Sequence, residues 1–297
     1  MILIDLSQVI ISNLMTQVGK NTDDIDDGLI RHMILNSILN IKKKFSGEYG
    51  NIVICCDNRN YWRKDIFPFY KFSRKKERED SGVDWGLIFN TMHEVKRELR
   101  EHFPYKCIEE ERAEADDIIA VIVEKYAPCE KILIISSDKD FKQLQKYPKV
   151  SQYSPILKKF LKEYDPKKYL REHIIRGDKS DGIPNFLSED EVFVENRRQR
   201  PITKKNLSGW LDMSREPEDF CDANMIKYWK RNEALVDLSK VPEELKAKIL
   251  NKFTKPPRGN MNKVFNYFVE NRMMLLMEEI ENFKEKEYQT YNNMVEL

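Results

Sequence analysis

The sequence has almost no net charge: 51 lysines and arginines stand against 50 aspartates and glutamates, leaving +1 over 297 residues. The total charge therefore points to no class of partner, and only its distribution along the chain can. Cysteine is scarce and odd in number (Cys55, Cys56, Cys107, Cys129 and Cys221), with no C-x-x-C pair. That argues against a disulfide framework or a cysteine zinc site and fits free thiols in a reducing compartment. The four histidines, His32, His93, His102 and His173, form no H-E-x-x-H motif, which argues against zinc hydrolysis. No apolar run reaches the roughly 18 residues of a membrane span. The opening Met-Ile-Leu-Ile-Asp lacks the cationic start of a signal peptide. A cytoplasmic protein with no membrane partner is expected. Internal repeats, low-complexity segments and a calcium loop of the D-x-[DN]-x-[DN]-G type are also absent.

What is present is a set of short apolar runs that end in acids or polar residues. Residues 2–6, 51–57 and 131–138 each have the length and Ile/Val/Leu content of a buried strand. Between them, Ile30, Met33, Ile34, Ile38, Ile41 and Phe45 follow helical spacing, and 86–102 and 114–126 read similarly. Strands alternating with helices predict an α/β domain with a mostly parallel central sheet flanked by helices. After about residue 165 the long apolar runs stop, and prolines and glycines punctuate short helical patterns. The expected organisation is an α/β domain over 1–165 and a smaller helical region over 166–297.

The acids are the informative feature. In parallel sheets ligands gather beyond the carboxyl ends of the strands. Asp57 and Asp138 fall there, with Asp5 in or near the end of the first strand. Glu114-Ala115-Asp116-Asp117 opens an apolar helix, Ser136-Ser137-Asp138-Lys139-Asp140 leaves a strand, and Asp178 and Asp181 flank a tight turn. Taken singly, each has a plain alternative: favourable charge at a helix N-terminus, or an ordinary Asx turn. Together they are too many carboxylates beside apolar segments to stand without a cation. The donors are all oxygen, so Mg²⁺ or Mn²⁺ is the expected cargo. Several carboxylates suit two such ions roughly 4 Å apart, as in many phosphodiester-cleaving enzymes.

Directly after Asp57, residues 59–79 mix cations (Arg59, Arg63, Lys64, Lys71, Arg74, Lys75, Lys76, Arg78) with aromatics (Tyr61, Trp62, Phe67, Phe69, Tyr70, Phe72). Cations pair with phosphates and rings stack on bases, which suits single-stranded or frayed nucleic acid. The alternative is a solvated loop whose rings belong to the core. Lys71 and Arg74 are three apart, so a helix starting near Phe67-Pro68 would point both at one target. A second basic stretch, 196–206, carries Arg197, Arg198, Arg200, Lys204 and Lys205 with no acid.

In this order the segments Leu3-Ile4-Asp5-Leu6-Ser7-Gln8, Cys56-Asp57-Asn58, Tyr61-Trp62-Arg63, Glu114-Ala115-Asp116-Asp117, Ile134-Ile135-Ser136-Ser137-Asp138-Lys139-Asp140-Phe141, Gly177-Asp178-Lys179-Ser180-Asp181 and Pro256-Pro257-Arg258-Gly259 resemble the structure-specific 5′-nucleases. These are the flap endonucleases and 5′-nuclease domains of bacterial polymerases, and the resemblance is greatest to the T-even bacteriophage ribonuclease H branch. It covers nearly the whole chain. It implies a PIN-like nuclease fold with an arch at about 59–80 and a helix–three-turn–helix-like element after residue 166. Two Mg²⁺, replaceable by Mn²⁺, would be held by Asp5, Asp57, Glu114 and Asp116 at the first site. Asp138, Asp140, Asp178 and Asp181 would hold the second, with Asp117 between.

The resemblance also places Lys71 and Arg74 on the scissile phosphate and Tyr70 on a terminal base. Arg63, Lys75, Lys76, Arg197, Arg198 and Arg200 are the further candidate nucleic-acid contacts. It implies K⁺ held through turn carbonyls, but the glycine-rich turn that would do so has no counterpart: 185–195 contains no glycine. The implied activity is metal-dependent 5′→3′ hydrolysis at 5′ ends and flaps of DNA and RNA–DNA duplexes, removing RNA primers in phage replication. A single-stranded-DNA-binding replication protein is the implied protein partner. Two rivals stay open at this point: a non-catalytic nucleic-acid-binding accessory protein with the same fold, and a PIN-type single-strand ribonuclease. The first leaves the full set of acids without a purpose, and the second leaves the chain beyond about residue 177 unexplained.

Overall fold

The computed structural model describes residues 1–17 and 27–286; residues 287–297 of the expected helical region lie outside them. Six strands form one sheet: β1 Ile2–Asp5, β2 Ile52–Cys55, β3 Lys106–Ile108, β4 Ile132–Ile135, β5 Val150–Ser154 and β6 Lys159–Leu161, in the spatial order β3-β2-β1-β4-β5-β6. β1 to β5 run parallel, and β6 closes the edge antiparallel to β5. The three apolar runs read from the sequence are β2, β1 and β4, the centre of this sheet. Every residue of β1, β2 and β4 is buried, as strands covered on both faces require.

The helices are α1 Leu6–Gln17, α2 Asp27–Tyr49, α3 Arg63–Ile66, α4 Arg74–Glu79, α5 Trp85–His102, α6 Ala115–Tyr126, α7 Pro166–Arg176, α8 Lys204–Trp210, α9 Ala223–Val236, α10 Glu243–Thr254, α11 Met261–Glu270 and α12 Met274–Glu278. The alternation of side chains along the strands divides the core in two. Ile2, Ile4, Ile52, Ile54, Leu133 and Ile135 pack with α1, α2, α5 and α11 on one face. Leu3, Val53, Ile132 and Ile134 meet α6 and α10 on the other.

A third, smaller core lies outside the sheet. Ile174 and Ile175 of α7, Trp229, Leu235 and Val236 of α9, and Phe186 enclose Phe67 and Tyr70 from the basic segment. Residues 166–236 thus gather around their own cluster, whereas α10, α11 and α12 return to the sheet.

Chain order switches at β1, whose parallel neighbours β2 and β4 are reached by crossovers in opposite directions. The carboxyl ends of these strands open the crevice where α/β folds place their ligands.

Candidate metal centre

Three central strands deliver one acid each to that crevice. Asp5 ends β1; its Oδ1 accepts the Gln8 N–H (3.1 Å) and its Oδ2 the Ser136 hydroxyl (3.2 Å). Asp57 follows β2, and its Oδ1 accepts the Ala115 N–H (2.9 Å) at the start of α6. Asp138 follows β4 and caps the next turn through the Asp140 N–H (2.9 Å). Asp116, in the first turn of α6, completes the group. Burial, with Asp57 and Asp138 nearby, pushes the Asp5 carboxyl up to about 8. Burial and the charges of Asp138 and Asp5 likewise raise Asp116, and burial raises Asp138. Packed carboxylates that hold on to protons in this way form a site in want of a cation.

Glu114 and Asp117 form a reciprocal capping box at the head of α6. Both are buried against Arg63, whose side chain is 2% exposed. Arg63 pairs with Glu114 (2.9 Å) and Asp117 (2.8 Å) and donates to the Leu235 carbonyl (2.9 Å). Asp117 Oδ2 also accepts the Trp62 indole N–H (3.1 Å) and the Glu114 N–H (2.9 Å). Two expectations are corrected here. Arg63 is too deeply buried to meet a nucleic acid. Asp117, with both oxygens engaged from within the protein, faces the core rather than the space between two ions.

Tyr70 is a third correction. It is 3% exposed, and its hydroxyl lies 3.0 Å from a Glu114 oxygen and 3.2 Å from one of Asp181, so its ring cannot stack on an incoming base. Trp62 and Phe67 are buried as well. Half of the six rings of the basic segment thus belong to the core, while Tyr61 and Phe69 are half-buried and Phe72 is exposed.

Lys71 and Arg74 converge by a route the sequence did not show. Residues 68–73 are turns, Lys71 has φ +58°, and helix α4 begins only at Arg74. Lys71 Nζ pairs with Glu114 and lies 3.7 Å from Asp181 Oδ2, while Arg74 Nη2 is 2.5 Å from Asp181 Oδ1. The shared target is thus reached without a shared helix face. Burial raises the Glu114 carboxyl, but the Lys71 and Arg63 charges override it and hold the group below its ordinary value. Lys75 and Lys76 lie on the exposed side of α4.

Asp140, Asp178 and Asp181 stand on the other side of Asp138. Asp178 accepts the N–H and hydroxyl of Ser180 (2.9 and 2.6 Å) and pairs with Lys139 (2.9 Å). Burial works against it, yet the neighbouring His173 imidazole, the Ser180 donors and Lys139 hold its carboxyl well below the usual carboxylate range. Burial and Asp138 push Asp140 up to about 7. The turn that carries Asp178 and Asp181 requires Gly177: φ is +65°, and a Cβ there would run into the Ile183 and Pro184 carbonyls.

His173 was not singled out by the sequence, yet it lies between Asp140 and Asp178. Its position on α7, just before the Gly177 turn, is the signal that could have found it. Arg197, Arg198 and Arg200 are exposed; Arg197 pairs with Glu189 (2.8 Å) and Glu195 (2.6 Å). Among the described residues, no helix is long and apolar enough to cross a membrane.

Residues 1–174 match the family described as 5′-3′ exonuclease, N-terminal resolvase-like domain, and residues 166–283 match T4 RNase H, C terminal. Over 293 residues, 95% of each chain, the sequence is 34% identical to Ribonuclease H of Enterobacteria phage T4. It is 32% identical over 134 residues to Flap endonuclease Xni of Shewanella oneidensis, covering 42% of this chain and 48% of that one. A solved structure of T5 5′-exonuclease with divalent metal ions (zinc) bound superposes with a TM-score of 0.57, 17% identity, and coverage of 84% of this chain and 97% of that one. At that identity the likeness speaks for the fold alone.

Proposed function

From the premise that this chain belongs to the 5′-3′ exonuclease family and is a 5′-3′ structure-specific nuclease, we propose that it hydrolyses phosphodiester bonds at 5′ ends and 5′ flaps of DNA and RNA–DNA duplexes, with two divalent ions, and removes RNA primers in phage DNA replication. Mg²⁺ is the proposed ion, with Mn²⁺ able to replace it. The donor set supports this: crowded carboxylates with raised proton affinity at Asp5, Asp116 and Asp138 fit hard, oxygen-preferring cations. Asp5, Asp57, Glu114 and Asp116 would hold the first ion, directly or through water. Asp138, Asp140, Asp178 and Asp181 would hold the second. Bound there, such ions polarise phosphoryl oxygens and lower the pKa of water.

The observation that carries the reading is the position of Lys71. Its ammonium touches Glu114 of the first set and lies 3.7 Å from Asp181 of the second. A phosphate lying across both sets would meet this ammonium, with Arg74 beside it. Lys71 and Arg74 would thus offset charge that grows on the phosphoryl group in the transition state. Arg63 and Asp117 act at one remove, as positioning residues that fix Glu114 at the head of α6.

Lys75 and Lys76 would contact the backbone near the cut, and Arg198 and Arg200 the duplex further away. We assign no role to K⁺. A single-stranded-DNA-binding replication protein is the protein partner we would look for. The test is a 5′-flap DNA and an RNA–DNA hybrid, each labelled at both ends, incubated with Mg²⁺ and with EDTA. Short 5′ products that require Mg²⁺ are expected. Metal-independent binding without any product would overturn the reading.

A further inference from the structure

His173 occupies the wall of the crevice on α7 and is 6% exposed. Its Nδ1 lies 3.5 Å from Asp140 Oδ1 and its Nε2 3.5 Å from Asp178 Oδ2. Neither ring nitrogen makes a hydrogen bond, and neither does Asp140 Oδ1. Buried polar atoms left without partners are rare enough to need a cause, and an ion is one of the recurring causes. One donor atom each from Asp140, His173 and Asp178 fall within 4.8 Å of one another. Zinc bonds of about 2.0–2.2 Å at tetrahedral angles put neighbouring donor atoms about 3.4 Å apart. Only one ring nitrogen can face the ion, so one of the observed 3.5 Å contacts is a donor pair close to that spacing, and the other joins the ring to its second carboxylate.

We propose that Asp140, His173 and Asp178 form a mixed nitrogen–oxygen site that takes a divalent transition ion, Zn²⁺ above all, in preference to Mg²⁺. The inference deepens the reading of Asp140 and Asp178 as metal ligands and rests on it. Imidazole suits zinc and its neighbours, whereas Mg²⁺ favours oxygen and keeps much of its water. With one ring nitrogen on the ion, the other N–H is left for a carboxylate, the arrangement that commonly fixes a metal-binding histidine. Lys139, which pairs with Asp178 at 2.9 Å, has a half-exposed side chain that can leave toward solvent as the ion enters. The acids around Asp5 offer no nitrogen, so the two halves of the crevice would differ in the ion they prefer.

The test titrates the full-length, metal-free protein with ZnCl₂ and separately with MgCl₂. The readouts are the ¹⁵N-labelled histidine ring resonances and calorimetric affinity. Zn²⁺ should shift the His173 ring signals and bind at least about 10²-fold more tightly than Mg²⁺. His173→Gln should lower Zn²⁺ affinity by roughly 10–100-fold while Mg²⁺ affinity changes less than about threefold. Ring signals of His173 that ignore Zn²⁺ in the unaltered protein would overturn the proposal, whether or not the variant folds. So would a folded His173→Gln protein that binds Zn²⁺ as well as the parent. No nucleic acid takes part, so a failed flap assay would leave this result standing.

Discussion

The two halves of the crevice solve the same electrostatic problem in opposite ways. Among the described residues, no lysine or arginine makes an ion pair with Asp5, Asp57, Asp116 or Asp138. Burial and mutual repulsion leave Asp5, Asp116 and Asp138 protonated more readily than ordinary carboxylates. Glu114, Asp178 and Asp181 instead carry internal counter-charges: Arg63 and Lys71 on the first, Lys139 on the second, Arg74 and Lys71 on the third. Asp5, Asp57 and Asp138 of the first half stand at or just beyond the ends of parallel strands and Asp116 in the first turn of α6, without a cationic side chain against them. The other sits on a turn and two helix starts and is balanced by side chains. The difference teaches where an outside cation gains most, which is at the strand-end acids that no side chain neutralises.

The comparison breaks most visibly in catalysis. Asp57→Asn and Asp138→Asn should each cut Mg²⁺-dependent cleavage by about 10³-fold or more, because several kcal/mol of charge stabilisation go with the ion. Single-turnover assays on a 5′ flap check this; near-normal turnover of Asp57→Asn would remove it from the metal set. Next comes Lys71, the cation that Glu114 and Asp181 share. Lys71→Ala should slow single-turnover cleavage by roughly 10²-fold, as for one lost preorganised donor. Dissociation constants measured in Ca²⁺ should move less than about tenfold, since the contact matters in the transition state more than in the ground state.

Stability without metal sharpens the contrast further. Near neutral pH, Asp178→Asn should destabilise the metal-free protein by about 1–3 kcal/mol, the worth of bonds to a charged, buried acceptor. Asp5→Asn should hold or raise stability, because the native state loses a carboxylate it can barely ionise. The same contrast has a pH signature. Asp5 and Asp140 have folded values of about 8 and about 7, above the ordinary 3.8. The native state therefore keeps protons that the unfolded chain has released, and metal-free stability should fall as pH rises from about 4 to about 8. The depressed value of Asp178 acts only below the ordinary carboxylate range and leaves this window alone. Thermal melts across that range, with and without saturating Mg²⁺, check it: the ion should flatten the slope, and a metal-free stability that climbs with pH would refute it.

The smallest expected effect lies outside the crevice. Replacing Arg198 and Arg200 with alanine should reduce the salt slope of duplex binding by up to about two units, at roughly 0.9 per phosphate. Adding Arg197→Ala should change it little, since Glu189 and Glu195 already occupy that side chain.

The strand-end acids were legible because a parallel sheet fixes where a run of Ile, Leu and Val must stop, and Asp57 and Asp138 stand just beyond those stops. Shorter or more polar strands were not legible. β3 has three residues. β5 includes Gln152, buried because its amide bonds the Ser136 and Asp138 carbonyls at 3.0 and 2.6 Å, so its polarity reads as loop. Burial of Arg63 could not be inferred either: its partners Glu114 and Asp117 lie more than fifty positions away, and an arginine next to Trp62 looks like a surface pair until they are placed. The same holds for Tyr70, whose neighbours in the third core come from α7 and α9. The approach of Lys71 to Arg74 depends on a left-handed backbone at a non-glycine residue, which no side-chain periodicity announces.

Arg63 has a consequence for how the molecule comes apart. Its guanidinium bonds Glu114 and Asp117 at the head of α6 and the Leu235 carbonyl at the end of α9. Undocking α9 from the sheet region would strand a buried cation and two buried carboxylates, a penalty of several kcal/mol. Local opening at that seam is thereby suppressed, and amide protons of α6 and α9 should exchange with solvent only as the chain opens as a whole. The small helical cluster and the central sheet then share one cooperative transition although their hydrophobic interiors are separate.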